Sequence, residues 1–102
     1  MPDPTIFPIP SANPTAAIAP AASGPVLVAN ERRVDADIIN VSDPSEAISL
    51  SRGNVAVLGA GITLTAYGSS YHIGTNNLFT GVINAISLSG DAALSIDEGV
   101  LP

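Results

Sequence analysis

Cysteine is absent from these 102 residues, so no disulfide braces the fold and no thiolate can hold a structural metal. With His72 as the one histidine, a zinc site lacks its usual ligand set, and no metal or other cofactor is expected. Lysine is absent too. The basic side chains are Arg32, Arg33 and Arg52, set against nine carboxylates, for a net charge of −6. That balance argues against nucleic acid, whose phosphates require a basic patch, and against anionic membrane surfaces. No apolar run approaches the ~20 residues that cross a bilayer. The first residues hold no basic n-region and prolines interrupt any hydrophobic stretch, so folding in the cytoplasm that makes the chain is expected. From Gly53 to Gly90 there is no Asp, Glu, Lys or Arg. Soluble β-proteins usually guard exposed strand edges with charge. The bare segment therefore predicts edges and faces covered by sister subunits or by a larger surface.

Proline is concentrated instead. Seven of the nine lie within residues 1–25, where Asp3 is the only charged side chain. Proline removes backbone donors and fixes φ, so neither a helix nor a central strand is expected there. The pattern predicts an extended, partly polyproline II arm over residues 1–25 and one β-domain over 26–102. Disordered tails are usually charged and poor in large apolar groups, and this segment is neither. Ile6, Phe7 and Ile9 are accordingly the expected anchors on a neighbouring molecule.

Beyond Pro25, eight or nine short apolar or alternating runs are separated by turn signals every 8–12 residues or so. This predicts an all-β fold, a small antiparallel β-sandwich or barrel. The pentapeptide Ala47–Ser51 recurs letter for letter at Ala85–Ser89, with a relaxed copy at Gly61–Thr65. In the run 78–89, a period of two places Val82, Ile86 and Leu88 on the core side and Ser87 and Ser89 on the other. In 34–41, Val34, Ala36 and Ile38 share one side, with Asp35, Asp37, Ile39 and Val41 opposite. A core of this size supplies roughly 3–5 kcal/mol unaided, which favours an oligomer.

Residues able to do chemistry are few. His72 lacks a serine–carboxylate constellation or a thiol, so no enzymatic role is expected. Asp35 and Asp37, followed by Asp43 and Glu46, offer oxygens of the kind calcium takes, but in no calcium-loop spacing. Beside Arg32 and Arg33 they read as a solvated, ion-paired face. Gly59-Ala60-Gly61 is too short for a phosphate-binding fingerprint. Asn40-Val41-Ser42 fits a glycosylation sequon without a secretory signal to make it meaningful. Tyr67, Tyr71 and Phe79 offer either a sugar-stacking platform or core packing.

Val28-Ala29-Asn30 with Arg32 and Arg33 is followed by Ile38-Ile39-Asn40-Val41-Ser42, then by Gly68-Ser69-Ser70-Tyr71. The most specific run is Phe79-Thr80-Gly81-Val82-Ile83-Asn84-Ala85-Ile86, and the order continues to Glu98. Over residues 26–99 this order resembles a small β-domain frequent among virion structural proteins of tailed bacteriophages. The resemblance implies a non-enzymatic component of the virion surface. Foremost is a head decoration, or cement, protein that binds the major capsid protein as a homotrimer and stabilises the shell. The alternative is a receptor- or glycan-binding module of a fibre or tail, with Tyr67, Tyr71 and His72 at its exposed end. Within the domain, Arg32 or Arg33 is expected to pair with Glu98 and tie the first strand to the last.

Overall fold

A computed structural model describes residues 12–101, and Ile6, Phe7 and Ile9 lie outside that range. The described residues form eight strands and no helix: β1 (Ala12–Ala19), β2 (Gly24–Leu27), β3 (Arg33–Asn40), β4 (Ile48–Arg52), β5 (Ile62–Leu64), β6 (Ser70–Ile73), β7 (Ile83–Ser87) and β8 (Ala92–Val100). They pair antiparallel in two four-stranded sheets, in the orders β1-β8-β3-β6 and β2-β7-β4-β5. An eight-stranded double sheet interleaved in this way is a jelly roll, one of the solutions by which all-β chains limit exposed edges.

The boundary expected at residue 25 moves. β1 and the start of β2 lie within the 1–25 segment, yet both belong to the sandwich. The proline argument holds in a narrower form, because β1 and β2 are edge strands, the places in a sheet that tolerate proline. The other two edges, β5 and β6, are kept to three and four residues. Proline and brevity thus protect the edges where lysine is absent.

Ile38, Ile48, Leu50, Ile73, Ile83, Leu94 and Ile96 fill the space between the sheets, with Ala36, Ala85 and Ala92 among them. The two identical pentapeptides are adjacent strands, but they face opposite ways. Cross-strand pairing sets Ile48 against Ser87 and Leu50 against Ala85, and directly paired residues share a face. The first copy therefore turns Ile48 and Leu50 inward. The second turns Ala85 and Ser87 inward, leaving Ile86 half-buried and Leu88 79% exposed. This corrects the phase expected for 78–89: the inward set is Ile83, Ala85 and Ser87. The side-chain period of two makes a one-residue offset sufficient to invert a face. Ser87 has a reason to be inside, since its hydroxyl donates to Ala19 O at 2.7 Å and accepts from Gly90 N at 3.1 Å.

A second phase correction falls at the start of β3. A register irregularity between Arg33 and Asp35 turns the Arg33 side chain inward, where Val34 was expected. Arg33 is 1% exposed. Its Nε donates to Glu98 Oε2 at 2.6 Å, Nη1 to Phe79 O and Gly81 O at 2.8 and 3.0 Å, and Nη2 to Val28 O. One guanidinium thereby gathers β3 and β8 of one sheet with the end of β2 and the approach to β7 of the other. At the far end of β3, Asn40 does the converse job. Its fully buried amide donates to Glu46 O at 2.7 Å and Leu64 O at 2.9 Å and accepts from Ser42 N at 3.0 Å. Such an amide is inaccessible to a glycosyl donor, so the sequon reading has no structural basis.

Candidate functional site

Two parts of the surface depart from ordinary solvated β-structure. The first is the β4–β5 connection, residues 53–61, which folds back over the outer face of its own sheet. On that face Ser49 lies directly opposite Ile86 on β7 and Thr63 on β5. The connection is pinned by two hydroxyls: Ala56 N donates to Ser23 Oγ at 2.8 Å, and Gly59 N donates to Ser49 Oγ at 2.9 Å. Ser49 also shares a hydrogen bond with Thr63 Oγ1 at 3.0 Å. Ala56 is buried by this arrangement, while Val55 and Val57 on either side remain 73% and 58% exposed, with Leu58 beside them. Part of the charge-free segment is therefore covered by the chain itself, and the cover presents aliphatic side chains to solvent.

The second is on the opposite sheet. Alternation sends Asp35 and Asp37 to the outer face of β3, as the sequence pattern expects, and pairs Asp37 with His72 of β6. His72 Nδ1 lies 2.7 Å from Asp37 Oδ1, and Nε2 lies 3.7 Å from Asp35 Oδ2. The ring reaches Asp35 because it lies along Gly74, where a Cβ would sit 2.9 Å from Nε2. Asn77 fixes the turn beyond, donating to His72 O and accepting from Gly74 N, each at 2.8 Å. Across β3 from His72, Asp97 of β8 is the register partner of Asp37. The Asp37 hydrogen bond above all, helped by the charges of Asp37 and Asp35, holds the His72 pKa above its ordinary value against an opposing effect of burial that outweighs either charge alone.

Sequence reasoning placed Asp35 and Asp37 on one face but set them against Arg32 and Arg33. Arg33 is committed to the interior. His72 takes the place beside the carboxylates. Nothing local in the sequence marks this, since the pairing of β3 with β6 spans the whole β4–β5 excursion. The aromatic platform does not assemble. Tyr71 pairs with Ile38 and packs on the core, as does Phe79, whose ring lies over Gly81 with the space of a Cβ filled to 2.7 Å. Tyr67 stands exposed in the preceding turn, and His72 points to the other face of β6 from Tyr71. The expected Arg–Glu98 pair involves Arg33 and lies inside the sandwich, where it holds strands together.

No family model, curated protein or solved structure matches the chain.

Proposed function

We propose that this chain is a non-enzymatic structural protein of a bacteriophage virion, a capsid decoration protein that binds the major capsid protein and reinforces the head. The reading is supported most directly by the exposed aliphatic side chains Val55, Val57, Leu58 and Leu88 within a segment free of charge. Copies carrying a net charge of −6 repel one another over most of their surface. The charge-free segment is the part of the surface where copies meet at least electrostatic cost, and burial of its aliphatic side chains contributes roughly 25 cal/mol per Å². The reading takes the homo-oligomer to be a trimer formed through this segment. Residues 1–11, with Ile6, Phe7 and Ile9, are then left to engage the shell. Repetition over the lattice multiplies individually weak contacts. Jelly rolls occur in viral capsid domains and also in lectins and cupins, so the fold agrees with this role by analogy only. The glycan-binding alternative has less support, because Tyr67 and His72 lack Tyr71 as a third member of one surface.

The test is immunogold labelling of purified virions together with sedimentation of the isolated chain. Labelling over the head and a trimer at micromolar concentration are expected. Labelling confined to the tail tip, or a monomer with no affinity for heads, overturns the proposal.

A further inference from the structure

The Asp35–Asp37–His72 group has no part in the assembly role proposed above, yet its geometry is specific. One donor atom from each of the three residues lies within 4.8 Å of the other two. Asp37 occupies the Nδ1 side of the ring at hydrogen-bond distance, while Asp35 Oδ2 stands 3.7 Å from Nε2, too far for a good hydrogen bond. Two ligands of a tetrahedral ion, each about 2.1 Å from it, are about 3.4 Å apart. The Nε2–Asp35 gap is thus close to the width that an ion fills, and the Asp37 contact is the one that orients a ligating imidazole in carboxylate–histidine–metal arrangements.

Asp97, in register with Asp37, adds a third carboxylate to this stretch of outer face, its Oδ1 closed off from solvent with no hydrogen-bond partner among the described residues. That charge adds to the negative potential of this face. The pairing of β3 with β6 thus brings together a nitrogen and two carboxylate donors that the count of cysteines and histidines did not foresee.

We propose that Asp35 and His72 bind a divalent first-row transition ion through Asp35 Oδ2 and His72 Nε2. Asp37 holds the ring through Nδ1–H, and solvent completes the coordination. The mixed nitrogen and oxygen donors select an ion of the zinc type over calcium or magnesium, which take oxygen alone. Binding displaces any proton on Nε2 to solvent, and Nδ1 keeps its own. Asp97 contributes negative potential without ligating.

The experiment titrates the full chain with Zn²⁺ while the His72 ring nitrogens are followed by ¹⁵N NMR. The expected result is saturable binding below millimolar Zn²⁺, with the large shift at Nε2. His72→Gln and Asp35→Asn should each abolish saturation, and Asp37→Asn should weaken it about 10–100-fold. All three positions are on the outer face, and a retained native spectrum verifies that each variant folds. Asp43→Asn, in an exposed loop, should bind like the wild type. Failure to saturate in millimolar Zn²⁺, a shift at Nδ1 instead, or equal binding by His72→Gln overturns the assignment. Equal loss in Asp43→Asn, or calcium binding as tight as zinc, overturns it as well, by showing diffuse attraction to carboxylates.

Discussion

His72 is the residue whose state depends most on solution conditions. Its folded pKa is raised by Asp37 and Asp35, so the protonated form is favoured by folding. The resulting stabilisation is fully present below the unfolded value, about 6.5, and is lost as pH rises through the higher folded value. In the presence of a chelator, the melting temperature of the wild type should exceed that of His72→Gln at pH 6. The difference should shrink steadily toward pH 8 and above. A difference that grows with pH would contradict the geometry. Leucine offers a second comparison, because Leu50 and Leu88 occupy equivalent places in identical pentapeptides. Leu50 is 2% exposed and packs in the core, whereas Leu88 faces solvent. At a dilution where the chain is monomeric, Leu50→Ala should cost about 2–5 kcal/mol in urea unfolding, and Leu88→Ala should stay within about 0.5 kcal/mol.

Among elements, β3 is the one on which both sheets depend. It carries Arg33 at one end, bonded to Glu98 of β8 and to the chain flanking β2 and β7, and Asn40 at the other, bonded to Leu64 of β5 and to Glu46 ahead of β4. Removing one member of a buried, hydrogen-bonded ion pair leaves the other charge uncompensated. Glu98→Gln should therefore destabilise by up to about 3 kcal/mol, tempered by the partial exposure of Glu98. Arg33→Met combined with Glu98→Gln should cost less than the sum of the two single changes, as a double-mutant cycle would measure. Exact additivity would mean that the two side chains do not interact. Alternation and turn residues are local signals, and they made most strands beyond residue 25 legible, whereas β1 was hidden within the expected arm. The Asp35–Asp37 face was legible for the same reason. What remained hidden was register. The inversion of Ala85–Ser89, the inward turn of Arg33 and the meeting of His72 with Asp37 are each set by a partner strand distant in sequence. A one-residue slip changes all three without changing any local preference. Ser49 shows the same limit, since an outward serine is covered by a loop that only the folded chain brings to it.

For the whole molecule, the placement of β1 changes how the N-terminal segment is to be tested. Removing residues 1–25 takes away an entire edge strand paired along its length with β8, together with the start of β2. Such a truncation should lose the cooperative thermal transition, while removal of residues 1–11 should leave it within a few degrees of the full chain. Under the assembly proposal, the shorter truncation should still sediment as an oligomer but no longer bind heads. Replacing Val55, Val57 and Leu58 together by serine should have the complementary effect, giving a folded monomer by sedimentation velocity. A trimer that survives that replacement would mean that copies meet elsewhere.

The pairing of Ala12 with Gly99 brings the first and last described strands out of the sandwich side by side at one pole. Tension applied through both ends of the chain would pull across this ladder and open it rung by rung, like a zip, beginning at Ala12 and Gly99. Tension between the 53–61 connection and that pole would instead load many rungs together. A molecule fastened to its surroundings at both ends would be mechanically weak, and one gripped by an end and a flank would be strong.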